Sequence, residues 1–137
     1  MSEKTVITAL ETRDKFFELL KVNPGLIVLK FGATWCGPCR KISHIVDAFF
    51  ATSPPEVLCA EIDVDECHDL YSFLKSKKMI NGIPTMMCFR KDNVSYIPNE
   101  SVLGIAPNDL HTFFKKCGHH LAEMKKIPEQ RIPSLHS

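Results

Sequence analysis

No apolar run in this 137-residue chain approaches the roughly 18 residues that a membrane-crossing helix requires, so no transmembrane segment is expected. No block of like charge stands out either. The 17 Lys plus Arg and 16 Asp plus Glu are dispersed and leave a net charge of +1. Nucleic-acid and membrane-surface roles normally require a basic face or tract, so neither partner is expected. The N-terminal stretch "MSEKTVITALETRDK" is polar from its second residue and lacks a long apolar segment, which reads as the absence of a signal peptide. Cytoplasmic localisation is the expectation, and there a reducing pool leaves most thiols free and makes disulfides catalytic or sensing. There is no internal repeat and no low-complexity tract. The length fits one domain able to bury a core without metal or disulfide staples, so the six cysteines are not needed to make the fold possible.

What is present is an alternation of hydrophobic runs with longer 3.6-periodic segments, the mark of an α/β layered domain. "TVITAL" reads as a short strand and "TRDKFFELLKV" as an amphipathic helix with Phe16, Phe17, Leu19 and Leu20 toward a core. After the break at "NPG", "LIVLKFGA" is apolar on both alternations except at Lys30, as in a central strand covered on both faces. A helix is predicted from about Pro38 to Phe50, a strand at "EVLCAEIDVD", and a further helix from Cys67 to about Lys78. Gly82 and Pro84 exclude a helix at "INGIPT". Strands at "TMMCFRK" and "VSYIPNESVLG", turned at Asp92 and Asn93, should pair antiparallel. A last helix is predicted from Pro107, with Leu110, Phe113 and Phe114 inward, reaching about Lys126 although Gly118 weakens it. The tail "IPEQRIPSLHS" has little to bury and reads as mobile. The expected division is a domain over residues 1–117 and a polar C-terminal extension, partly helical or mobile, over 118–137.

The chemistry concentrates in "LKFGATWCGPCRK", where Cys36 and Cys39 stand two residues apart. Three uses of the pair are open: half a zinc site, a structural bridge, or a redox couple. Zinc requires four ligands, and Cys59, Cys67, Cys88 and Cys117 are scattered singly, while "CGHH" at 117–120 lacks suitable spacing. No metal is therefore expected. A bridge serving stability alone is out of place in a cytosolic chain of this size. The redox reading has a local physical basis. Gly37 and Pro38 place Cys36 at a helix N-terminus, where free N–H groups favour the thiolate that attacks disulfides. Cys39, one turn further in and more buried, would release the mixed disulfide. Cys36 is thus the expected nucleophile and Cys39 the resolving thiol.

The run "ATWCGPCRKI", followed by "GIPT" and then "VLG", resembles the thioredoxin family over about residues 5–117. The resemblance implies a thioredoxin fold, a central mixed β-sheet flanked by α-helices. It also implies a disulfide reductase of client proteins with no bound cofactor, recharged by a flavin-dependent thioredoxin reductase that uses NADPH; a monomer is expected. It further implies a cis Ile83–Pro84 bond set against the cysteine pair, freeing the backbone of Ile83 to pair with an extended client. Clients would dock on an apolar patch of Trp35, Gly37, Pro38, Ile83, Pro84 and Gly104. The plainer alternative for Trp35 and Ile83 is ordinary core.

Lys30 departs from that pattern. The family typically carries a buried Asp six residues before the nucleophilic cysteine, serving as proton acceptor for the resolving thiol. A lone buried lysine would be costly or would lose its proton. Glu61 falls where many members carry a Lys facing that Asp, so the charges look exchanged. Lys30 and Glu61 are expected to form a reversed pair under the site, with Glu61 as proton carrier. The alternative is that Lys30 snorkels to the surface and Glu61 is solvated. A nearby ammonium would raise the reduction potential above the roughly −270 mV of thioredoxin.

Smaller departures follow. His44 replaces a proline that bends the helix in many relatives, so a straighter helix is expected. The stretch from "DVD" to "IPT" is about four residues longer than usual, close to one helical turn. A cysteine at the position of Cys67 can be regulatory in animal relatives, the alternative being a partly exposed spectator thiol. Cys59 and Cys88 read as small buried apolar residues. A competing function is a thioredoxin-fold binding module with little turnover. A third, an oxidase or isomerase, is disfavoured because Gly37–Pro38 resembles the reductive members.

Overall fold

A computed structural model describes residues 4–126. The predicted mobile tail falls outside these residues. Five strands form one sheet in the order β1-β3-β2-β4-β5: β1 (Val6–Ile7), β2 (Leu26–Gly32), β3 (Val57–Asp63), β4 (Thr85–Arg90) and β5 (Glu100–Leu103). The first three are mutually parallel, whereas β4 runs antiparallel to both β2 and β5. The result is the expected mixed sheet. Helices α1 (Arg13–Lys21) and α4 (His68–Ser76) cover one face, and α3 (Ser43–Thr52) and α5 (Pro107–Lys125) cover the other.

The period-2 alternation of strand side chains divides the core into two layers. Ile27, Leu29 and Phe31 of β2 pack with Phe16 and Leu20 of α1 and Leu70 and Leu74 of α4. Leu26 and Val28 face the other way, toward Val46 and Phe50 of α3 and Leu110, Phe113 and Cys117 of α5. Because β2 is covered on both sides, every residue in it is buried, Lys30 included. Thr12 caps α1 by accepting the Lys15 N–H at 3.2 Å. Arg13 then ties α1 to α4 through Asp69, with its backbone N–H at 2.9 Å and its guanidinium Nη2 at 2.8 Å.

Three predicted elements differ. The helix expected from Pro38 to Phe50 is two: α2 (Gly37–Lys41) and α3, joined at Ile42, whose φ of −104° and ψ of 1° leave helical geometry. No proline is involved. The Ser43 hydroxyl donates to the Arg40 carbonyl at 2.9 Å and so satisfies an acceptor freed by the break. The straighter helix expected from His44 is therefore not formed. The strand expected from Val94 begins only at Glu100, because side chains organise the preceding segment as a loop. Asn93 donates to the Ile97 carbonyl at 2.9 Å and accepts the Ser95 N–H at 2.9 Å, while Tyr96 packs edge-on against Phe73. Finally, "TVITAL" pairs only at Val6 and Ile7.

Helix α5 runs unbroken through Gly118 and buries Leu121 and Met124. The position between Cys117 and Gly118, where the domain is expected to give way to its extension, lies inside this helix.

Candidate active site

β2 ends at Gly32, the chain turns over Ala33–Trp35, and α2 starts at Gly37, so Cys36 is the residue that caps α2. Its sulfur accepts the Cys39 N–H at 3.1 Å, and its carbonyl accepts the Arg40 N–H at 3.3 Å. Pro38 lies in the first turn, where a missing N–H costs nothing. Cys36 and Cys39 are joined as a disulfide with their Cα atoms 5.3 Å apart. Since α2 is a single five-residue segment, a long helix dipole is not what acts on Cys36. The directed Cys39 N–H is. Both cysteines are buried, with Cys36 at 5% and Cys39 at 3% exposure, so burial hardly separates them. Their surroundings do. Cys36 faces backbone N–H, whereas Cys39 Sγ lies 3.4 Å from the point where a Cβ on Gly32 would sit.

The other predicted site residues arrive from β4 and β5. Phe31 pairs with Thr85 and Thr85 with Leu103, which sets Pro84 and Gly104 beside the end of β2 from which the cysteine loop springs. The Ile83–Pro84 bond is cis, and the Pro84 carbonyl accepts the Gly104 N–H at 2.9 Å. Gly104 has φ +100°, a left-handed conformation that favours glycine. Trp35 is not core: it is 65% exposed, and its Nε1–H donates to Asp65 Oδ2 at 2.8 Å. Ile83 is half-buried, and Leu103 and Ile105 add exposed apolar surface on either side of Gly104.

Lys30 and Glu61 are register partners on β2 and β3, and Lys30 Nζ donates to Glu61 Oε1 at 3.0 Å. The lysine side chain is 5% exposed and the glutamate 46%, so Lys30 does not snorkel to the surface. Both line a cleft of about 330 Å³ whose wall also includes Gly32 and Cys39. Cys67 is not the partly exposed thiol that its alternative reading describes. It is buried, its thiol donates to the Thr8 carbonyl at 3.7 Å, and burial pushes its ionisation upward. The other free cysteines, Cys59, Cys88 and Cys117, are buried too, and Cys117 is pushed up by the neighbouring Cys88 thiol and by burial. Among the described residues no group of three or more His, Cys, Asp or Glu is arranged to hold a metal.

Sequence reasoning missed three residues. Asp65 holds the Trp35 ring, Arg40 donates to the Thr34 carbonyl at 2.6 Å and braces the cysteine loop, and Gly32 leaves the space beneath Cys39. None carries a local signature, because each role depends on a partner brought in by the turn or by the neighbouring strand.

A disulfide at a strand-to-helix turn, faced by a cis-proline loop on a five-stranded mixed sheet, defines a protein of thioredoxin fold with a dithiol–disulfide site. The sequence model of the Thioredoxin family matches residues 7–116. The thioredoxin of Homo sapiens is 33% identical over 87 residues, covering 63% of this chain and 78% of that protein. Among solved structures, a thioredoxin of Fasciola hepatica superposes with a TM-score of 0.64 at 28% identity, covering 84% of this chain and 99% of the other. The thioredoxin NaTrxh of Nicotiana alata gives a TM-score of 0.64 at 27% identity over 88% and 96%. The chain belongs to the thioredoxin family, and its activity is thiol–disulfide oxidoreduction.

Proposed function

We propose that the protein reduces disulfides of client proteins, with Cys36 as nucleophile and Cys39 as resolving thiol. The Cys36 thiolate attacks one client sulfur, forms a mixed disulfide and releases the other client sulfur as a thiolate. Cys39 then attacks Cys36, closes the Cys36–Cys39 bond and frees the client as a dithiol. The observation that carries this assignment is the Cys39 N–H directed at the Cys36 sulfur, which supports negative charge on Cys36 rather than on Cys39.

Clients dock on Trp35, Gly37, Pro38, Ile83, Pro84 and Gly104, which offer an apolar surface and the free backbone of Ile83 for strand-like pairing. Lys30 and Glu61 serve as the charge pair beneath the site. A flavin-dependent thioredoxin reductase recharges the disulfide with electrons from NADPH, in the cytoplasm, and the protein works as a monomer. No helix among the described residues is long and apolar enough to cross a membrane.

Insulin reduction driven by dithiothreitol tests the assignment. Turnover is expected for the wild type and is lost in Cys36→Ser and Cys39→Ser, and only Cys39→Ser accumulates a mixed disulfide with a client. Client binding that survives both substitutions, with no turnover by the wild type, would establish a binding module instead.

A further inference from the structure

The ionisable group buried under the cysteine pair is a cation. Lys30 is 4% exposed, lies on the same sheet face as Val28, and among the described residues donates one hydrogen bond, to Glu61. Its stem passes Gly32, where a Cβ would lie 3.9 Å from Lys30 Cε and 3.4 Å from Cys39 Sγ. Lys30 Cε and Cys39 Sγ therefore both lie within 4 Å of one point beside Gly32, and the same cleft reaches Lys30, Glu61 and Cys39. In such a setting a charge acts on its neighbour far more strongly than it would in bulk water.

We propose that Lys30 is a positioning residue that biases the Cys36/Cys39 couple toward its dithiol form by favouring thiolate in the reduced pair, while the Glu61 it holds accepts the Cys39 proton through solvent in the cleft. This rests on the reading of Cys39 as the resolving thiol. Reduction of the disulfide takes up two electrons and leaves two sulfurs that are thiol or thiolate. The disulfide carries no charge for Lys30 to act on, and a thiolate does, so the cation stabilises only the reduced side. In the release step the Cys39 proton passes to the Glu61 carboxylate. The Cys39 thiolate then bonds to Cys36, the bond between Cys36 and the client sulfur breaks, and the client leaves as a thiolate that solvent protonates. The net result is oxidation of the pair by two electrons and reduction of the client by two. Lys30 touches neither sulfur in this scheme. It acts by charge and by holding Glu61.

The test is the redox equilibrium of the full chain with glutathione, read as the fraction of alkylatable Cys36 and Cys39 across buffers of fixed reduced-to-oxidised ratio at pH 7. Wild type, Lys30→Met and Glu61→Gln are compared, with far-UV circular dichroism confirming folding. Lys30→Met is expected to lower the reduced-to-oxidised ratio of the protein about three- to tenfold, the effect of a partly screened unit charge. Glu61→Gln leaves the lysine unopposed and is expected to raise that ratio, and it should also change the pH profile of client release, because the carboxylate that takes the Cys39 proton is gone. A general loss of packing would move both variants in the same direction. Equal ratios in all three proteins, or a common direction for both variants, would overturn the proposal while leaving the oxidoreductase intact. If Lys30→Met does not fold, Glu61→Gln decides alone, and an unchanged ratio and pH profile there would overturn the proposal. A wild type that does not exchange with glutathione at all would overturn the underlying assignment of Cys39 as well.

Discussion

Lys30 Nζ lies 3.0 Å from Glu61 Oε1 because β2 and β3 run parallel in a register that sets these two residues directly opposite each other. The lysine is buried and the glutamate half in solvent, which makes the two ends of the pair unequal. Removing the carboxylate strands a buried ammonium, whereas removing the ammonium leaves a carboxylate that water already solvates. Glu61→Gln is therefore expected to cost about 1–3 kcal/mol, and Lys30→Met to stay within about 1 kcal/mol of the wild type or to stabilise. Urea midpoints measure both. A larger loss for Lys30→Met would locate the stability in packing of the lysine stem.

The contact between α1 and α4 carries a pH dependence with a definite sign. Hydrogen bonds from the Arg13 guanidinium and backbone lower the Asp69 carboxyl to about 2. Its folded value is thus below its unfolded one, and the unfolded chain binds the proton first as pH falls. Stability from this contact is present above the usual aspartate range near pH 4 and is lost as pH drops toward 2. Asp69→Asn should flatten this acid limb when thermal midpoints are followed from pH 5 to pH 2. Both partners are exposed, so added salt should shrink the difference between variant and wild type.

The C-terminal half of α5 is predicted to be structural. Leu121 is 7% exposed and packs with Leu26 and Cys117, and its Cδ1 lies 3.1 Å from the Cβ position of Gly25. Leu121→Ala should cost about 2–4 kcal/mol. Gly118, within the same helix, has nothing within 4 Å of a would-be Cβ, so Gly118→Ala should stabilise by about 0.5–1 kcal/mol. If α5 ended near Cys117 in solution, both substitutions would leave the urea midpoint unchanged.

Trp35 is the chain's one tryptophan, so its fluorescence reports directly on the site. Asp65→Ala removes the acceptor of the Nε1–H bond, and the ring is expected to move more freely. Time-resolved anisotropy should show a faster decay, and client reduction should fall about two- to fivefold, in keeping with the ~0.5–1 kcal/mol of an exposed bond to a charged acceptor. Unchanged anisotropy would mean that packing rather than Asp65 holds the ring.

Much of the fold was legible because its signals are local. The near-continuous apolar run "LIVLKFGA" marks the buried centre of the sheet, and the spacing of Phe16 with Leu20 and of Leu70 with Leu74 marks the faces of α1 and α4. The misread elements were those in which side chains compete with backbone pairing. Ser43 bonds back to Arg40 and interrupts a periodic helix, and Asn93 and Ser95 build a loop from residues that otherwise suit a strand. Neither competition shows in hydrophobic spacing.

By itself the sequence determined the redox pair, since Cys36, Gly37, Pro38 and Cys39 are contiguous and the turn from strand to helix that holds them is encoded on either side. It also determined that Lys30 either pairs or reaches the surface, because no isolated cation is stable inside a strand covered on both faces. Only the tertiary structure decided the rest. The ion pair of Lys30 with Glu61, separated by 31 positions, and the indole bond of Trp35 to Asp65, separated by 30, depend on how the strand and turn of one segment settle against another. The burial of Cys67 under Thr8 is of the same kind, separated by 59 positions. Strand register and turn geometry are set by the packing of the whole core, and no window of sequence contains that information.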